Sequence, residues 1–300
     1  MFAPRTAGRW GGHGGCLARR CGLRRPRPDR GKAAGLSALA GVGAVPPGFC
    51  LTALAAARWW PEVAVGGGVP EGLRATVALA YRALAERCGE VTPPVAVRSS
   101  ATDEDGAAAS FAGQHDSYLN VADVGAVVDA IVRCWRSAQN ERAAAYRARS
   151  GLPPAATGLP VLVQQLVVAD ASAVAFSANP VTGDRGEIVI NATWGLGESL
   201  VGGTVTPDTC TIRKADLAIV ARAVAEKRAM TIPAATGTRE VAVPRFLRRT
   251  PALDDAQLLA TARLALALEV RCGHAVDVEC AWRDGRLFLL QCRPVTVLLR

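Results

Sequence analysis

Apolar side chains along this chain change period several times, and each change marks an element. From Pro70, the residues Leu73, Val77, Tyr81, Leu84 and Cys88 recur at helical spacing, and proline at a helix start is well placed because its missing N–H would be unpaired there anyway. A second stripe, Val124, Val127, Val128, Ile131, Trp135 and Ala138, predicts a longer helix over 123–149, with Trp135 in the core. A third helix is expected after Asp254, which can cap it, with Leu258, Leu259, Ala262, Leu266 and Val270 inward. Between the second and third helices the period shortens to two. Runs at 160–168, 172–178 and 186–193 are rich in Val, Ile and Ala and are broken by Asp170 and by the Asn179-Pro180 turn, as strands would be. A short helix at 36–40, extended runs at 49–52 and 95–99 and a hairpin around Asp284-Gly285 complete an α+β pattern.

The last hairpin raises a question of faces, because strand side chains alternate. A two-residue loop at Asp284-Gly285 would send Glu279 and Gln291 to opposite sides. A three-residue loop, Arg283-Asp284-Gly285, with glycine in the left-handed position, is the expected register. It places Val278, Cys280, Trp282, Phe288, Leu290 and Cys292 on one apolar face and Asp277, Glu279, Gln291 and Arg293 on the other. The Glu279 carboxylate and Gln291 carbonyl would suit magnesium, and Arg293 a phosphoryl oxygen. A solvated polar face with a weak Arg–Glu pair explains the same residues equally well.

A second polar cluster opens at the end of the run 95–99. Arg98 is followed by Ser99, Ser100 and Ala101, then by the acidic residues Asp103, Glu104 and Asp105 and by the string Ser110-Phe111-Ala112-Gly113-Gln114. A guanidinium fork among residues small enough to expose backbone N–H groups is how a loop surrounds phosphate.

Charge adds a constraint. Residues 1–30 contain eight arginines against Asp29, leaving 27 basic and 25 acidic side chains, of 35 and 26 in all, for the rest. The body is therefore nearly neutral and needs no polyanionic partner. Only Lys32, Lys214 and Lys227 are lysines, and Lys32 stands between Gly31 and Gly35, where a compact cation suits a phosphate. Nine scattered cysteines show neither a C-x-x-C pair nor zinc spacing, which points to reduced thiols in a cytoplasmic setting, without disulfides or a structural metal. The uncharged stretch 33–57 is interrupted by Gly41, Gly43, Pro46, Pro47 and Gly48 and is too broken to span a membrane. The first 30 residues read as an arginine-rich tail.

Taken in order, Val97-Arg98-Ser99-Ser100-Ala101, Ser110-Phe111-Ala112-Gly113-Gln114, Tyr118-Leu119-Asn120-Val121, Gln164-Gln165, Phe176-Ser177-Ala178-Asn179-Pro180, Trp194-Gly195-Leu196-Gly197-Glu198-Ser199, Asp277-Val278-Glu279 and Leu290-Gln291-Cys292-Arg293-Pro294 resemble the nucleotide-binding domain shared by phosphoenolpyruvate synthase, pyruvate phosphate dikinase and rifampicin phosphotransferase. The resemblance covers residues 94–296, with Gly31-Lys32 and Pro46-Pro47-Gly48-Phe49 before it. It implies an ATP-grasp fold of two subdomains around a nucleotide cleft, here 31–122 and 123–300, with ATP and Mg2+ as cofactors.

Carried over position by position, Lys32, Arg98, Gly113, Ser117, Gln164, Glu279, Gln291 and Arg293 would contact the nucleotide. Arg98 and Arg293 would act on the phosphoryl group, and Glu279 and Gln291 would hold the metal. The glycines at 195, 197, 202 and 203 would shape a loop over the phosphates. The implied activity is phosphoryl donation to a histidine on a separate domain or chain, because the family's carrier signature, Gly-Gly…Ser-His-Ala, is absent and His115 is embedded in the nucleotide motif. The segment 53–93 is shorter than its family counterpart. Two alternatives remain: a non-catalytic or regulatory ATP-binding remnant, and nucleic-acid or surface binding through the arginine tail.

Overall fold

A computed structural model describes residues 32–66, 68–100, 117–137 and 159–295. The chain opens with α1 (Lys32–Leu39), β1 (Gly48–Leu51), α2 (Ala53–Ala64), α3 (Glu71–Cys88), β2 (Val95–Ser99), β3 (Ser117–Val121), α4 (Val124–Ser137) and β4 (Val161–Gln165). Their strands form one antiparallel sheet in the order β1-β4-β2-β3. Alternation gives this sheet two different faces. Leu51, Val95, Val97, Val121, Val161 and Val163 turn to one side and meet Val63 of α2, Leu73, Val77, Tyr81 and Leu84 of α3, and Val127, Val128, Ile131 and Trp135 of α4 in one core. The stripe expected from Pro70 is buried from Leu73 to Leu84, with Cys88 partly buried against the core, and Trp135, 2% exposed, donates its indole N–H to the Leu159 carbonyl at 2.9 Å. The part of the expected second helix beyond Ser137 lies outside the described residues.

The chain continues through β5 (Ala171–Phe176), β6 (Glu187–Trp194), the short α5 (Glu198–Val201), β7 (Asp208–Arg213), β8 (Ile219–Ala223), β9 (Ala229–Pro233), β10 (Thr238–Ala242), α6 (Asp255–Cys272), β11 (Val276–Arg283) and β12 (Arg286–Pro294). The second sheet runs β12-β11-β5-β6-β7-β8, and β9 and β10 make a separate hairpin. One face of the second sheet, including Ala173, Ala175, Ile188, Ile190, Val278, Cys280 and Leu289, packs on Leu258, Ala262, Leu264, Ala265 and Leu268 of α6 in a second core.

Asp254 caps α6 as expected, its carboxylate accepting from the Gln257 N–H while the Gln257 side chain accepts from the Asp254 N–H. The inward face is the expected one at Leu258 and Ala262 but not at the end of the helix. Val270 is 84% exposed, and Leu264 and Leu268 are buried instead. A four-residue step overshoots a 3.6-residue turn by about 40°, so the series 258, 262, 266, 270 rotates out of the core before it ends.

The closing hairpin also differs from expectation. Arg283 pairs with Arg286, so the loop is the two-residue Asp284-Gly285, with φ of 49° and 71°, the double left-handed geometry that Asp-Gly favours. The ladder then shifts by one residue between Glu279 and Cys280, where Cys280 faces Leu289 but Glu279 faces Gln291. Leu290 is the extra residue of a bulge. Leu287 and Leu289, not Phe288 and Leu290, therefore join the core. Asp277, Glu279, Gln291 and Arg293 still share a face.

Candidate functional site

Directly opposed residues of an antiparallel pair share a face, and this rule assembles the site. On the first sheet, Arg98 of β2 lies opposite Ser117 of β3 and Leu162 of β4, while Gln164 lies opposite Ala96. This face points away from the α2–α4 core. On the second sheet, the face opposite α6 carries Asp277 opposite Arg293, and Glu279 opposite Gln291. The apolar positions Phe176 and Val174 stand beside Asp277 and Glu279 on β5.

The two faces meet. Arg98 Nη1 lies 3.9 Å from Glu279 Oε2, with the side chains 15% and 16% exposed. Beneath this contact, Ala96 of β2, Leu166 and Leu196 form a small apolar cluster between the layers. At 3.9 Å the ion pair is too long for a direct hydrogen bond, and Arg98 Nε is buried with no partner. A buried guanidinium with an unused donor is what a phosphoryl oxygen would satisfy.

The carboxylate side has the matching deficit. Asp277 is 5% exposed, and its Oδ2 accepts from Arg293 Nε at 2.8 Å. Its Oδ1 is buried without a partner. Burial pushes the Asp277 carboxyl above its ordinary pKa, against the opposing pull of Arg293 and with a smaller push from Glu279. A cation at Oδ1 would reverse that penalty. Gln291, 6% exposed, stands across from Glu279, so three oxygen-bearing side chains line one strip. Among the described residues no three His, Cys, Asp or Glu side chains gather into a ready cage. The donor set fits a cation that keeps water and phosphate oxygens in its shell, as Mg2+ does.

The remaining expected residues fall in different places. Ser117 is exposed at the start of β3, next to Arg98. Lys32 is the first residue of α1, and its side chain is outside the description, as are Gly113 and His115. Gln164 is 3% exposed and donates to the Pro46 carbonyl at 3.2 Å, bracing the Pro46-Pro47-Gly48 turn. Its strand, β4, is paired on both sides, with β1 and β2, and the main chain is committed to ladders as far as Gln165.

The glycine-rich loop after Trp194 is braced. Gly195 has φ of 73°, and a Cβ there would lie 2.4 Å from the Thr231 carbonyl oxygen, so glycine is required twice over. Leu196 N donates to that same carbonyl at 2.9 Å. Asp277 itself was not singled out as a ligand by residue type; its place between an arginine and a glutamate of like face was the available signal. A depression of about 550 Å³ near Arg222, Thr250 and Asp255 is remote from these residues, and its Arg222 and Asp255 already pair with each other.

Comparison with known proteins brings this geometry into a family. Residues 62–300 match the family described as pyruvate phosphate dikinase, AMP/ATP-binding domain. The chain is 41% identical over 231 residues to a probable phosphoenolpyruvate synthase of Methanocaldococcus jannaschii, covering 77% of this chain and 19% of that protein. It is 39% identical over 239 residues to the phosphoenolpyruvate synthase of Pyrococcus furiosus, covering 77% and 29%. It is 42% identical over 231 residues to a rifampicin phosphotransferase of Streptomyces sviceus, covering 77% and 26%. The match thus spans 19–29% of each relative's length.

Proposed function

The chain belongs to the pyruvate phosphate dikinase AMP/ATP-binding domain family, and from that premise we propose that it binds Mg·ATP in the cleft between its two sheets and donates a phosphoryl group to a histidine on a separate domain or chain. The supporting observation is the pair of opposed deficits: a buried Arg98 donor and a buried Asp277 acceptor, each unpartnered, on two sheet faces that meet at the Arg98–Glu279 contact.

In this reading Arg98 reaches the phosphates from the first sheet and Arg293 from the second. Asp277 holds the Arg293 guanidinium in place through its Oδ2, which keeps a flexible cation oriented toward the cleft. Glu279 and Gln291 offer oxygens to the cation, with Asp277 Oδ1 as a third. A bound magnesium ion would neutralise charge on the phosphoryl oxygens during transfer. Leu196, Ala96 and Leu166 close the floor against water, which strengthens every charge contact above it.

Calorimetry with Mg·ATP on the full chain should give heat that Arg98→Ala and Arg293→Ala largely remove. Glu279→Gln should weaken binding more with magnesium than without it, because a neutral amide is a poorer ligand for a hard cation. Undiminished binding in both arginine variants would overturn the site. Transfer is tested by adding a phosphohistidine domain in trans with ATP labelled so that the transferred group is followed. Labelled histidine is expected on the added domain, and label on His115 of the chain alone would refute the proposal.

A further inference from the structure

Asn120 belongs to the Tyr118-Leu119-Asn120-Val121 string of β3, the strand beside Arg98's β2, and the site described above makes no use of it. Its backbone is left-handed, with φ of 54°, a conformation rare outside glycine and tolerated best by Asn and Asp. Its side chain donates to two carbonyls of the β9–β10 turn, Ala234 O at 2.7 Å and Gly237 O at 2.8 Å. Its own carbonyl accepts from Gly237 N at 3.3 Å. One residue of the first sheet therefore grips the tip of a hairpin that belongs to neither sheet.

That hairpin in turn grips the glycine-rich loop. Thr231 of β9 accepts from Leu196 N at 2.9 Å, and Thr238 of β10 donates to Glu198 Oε2 at 2.8 Å. Leu196 then packs against Ala96, which sits two residues before Arg98 on the same face of β2. The contacts close a ring: β3 to hairpin, hairpin to loop, loop to β2, and β2 back to β3 through its ladder. Asn120 is the link that needs a donor of two hydrogen bonds. Aspartate, of equal size, offers none.

From this ring we infer that Asn120 is a positioning residue for the nucleotide site, holding the 195–198 loop against the Arg98 face through the β9–β10 hairpin. The inference rests on the Mg·ATP reading for its functional consequence, but the clamp itself is testable without nucleotide. Asn120→Gly keeps the left-handed backbone and removes the donors. Thr238→Val weakens the ring at a second point, removing one of the two hairpin-to-loop hydrogen bonds.

Hydrogen exchange on the ligand-free full chain should show the Leu196 amide protected in the wild type and faster in both variants. Unchanged exchange in an Asn120→Gly protein that melts cooperatively would overturn the clamp. Calorimetry should then show Mg·ATP bound about fivefold or more weakly by each variant, in line with the effects of residues that couple to a site without touching it. The double variant should lose no more than the weaker-binding single variant, since the ring is already open. Wild-type affinity in Asn120→Gly overturns the positioning role while leaving the site intact. Absence of Mg·ATP binding in the wild type, with the exchange result as expected, overturns the nucleotide reading and with it the positioning role, but keeps the clamp. Additive losses in the double variant would also count against the ring.

Discussion

Two aspartates, Asp208 and Asp277, are nearly equally buried, at 8% and 5% exposed, and they could hardly be used more differently. Asp208 spends both oxygens: Oδ1 accepts from Lys227 Nζ and from Ala225 N, and Oδ2 accepts from Ala252 N. Lys227, whose side chain is fully buried, gives a further hydrogen bond to the Ala225 carbonyl. Asp277 spends only one oxygen, on Arg293, and leaves the other bare. A saturated carboxylate ties β7 to the loops near 225 and 252 and has nothing left to offer a ligand. An unsaturated one costs stability until something binds it. Burial alone does not identify a site; unspent hydrogen-bonding capacity does.

The comparison breaks most visibly at Asp208. Asp208→Asn puts an N–H group among three donors and leaves the Lys227 ammonium buried without a counter-charge, so it should cost about 3–5 kcal/mol in urea or thermal unfolding. A loss of under 1 kcal/mol would show that the pair is not the structural tie it resembles.

Asp277→Asn should act in the opposite direction. Its carboxyl is held above the ordinary range chiefly by burial, so its contribution to stability is present below the ordinary carboxylate pKa and is lost as pH rises through the raised value. The variant should match the wild type in acid and melt higher at neutral pH, by roughly 2–4 °C for each kcal/mol relieved. Magnesium-dependent nucleotide binding should fall in the same protein. A variant that melts lower than the wild type at neutral pH would remove the case for a strained, waiting carboxylate.

The smallest effect is expected at Thr193, which is fully buried with an unpartnered hydroxyl but carries no charge. Thr193→Val should be neutral or stabilise by up to about 1 kcal/mol, with nucleotide affinity unchanged. Lost affinity would mean that an orphan hydroxyl, and not only an orphan charge, marks this site.

Much of this was legible in the chain. The α3 stripe and the Asp254 cap are local signals, and local signals survive folding. The strands β7 to β10 were not anticipated. Exposure explains two of them: β8 and β10 have no buried residue, so no alternation is written into Ile-Val-Ala-Arg-Ala or Thr-Arg-Glu-Val-Ala. In β7, every second residue is buried, but those residues are Asp208, Cys210 and Ile212, and a buried aspartate reads as a turn until Lys227 is known to meet it. The polar face Asp277, Glu279, Gln291 and Arg293 was anticipated through the wrong loop. The residue types demanded a shared face, whereas the means of achieving it, a bulge at Leu290, is a long-range accommodation with no local signature. Asn120 was visible as a motif member, but its partners lie more than a hundred residues away.

The Leu290 bulge makes the chemistry of the cleft a matter of parity. With a two-residue turn, one supernumerary residue in β12 brings Gln291 and Arg293 round to the side of Glu279 and Asp277. A three-residue turn without the bulge would give the same parity. Deleting Leu290 alone would straighten the strand and keep every pairing, since Leu289 already faces Cys280 and Gln291 already faces Glu279. Keeping Leu290 in a flat ladder would instead set it opposite Glu279, turn Gln291 and Arg293 toward the hydrophobic core and carry a leucine among the polar side chains.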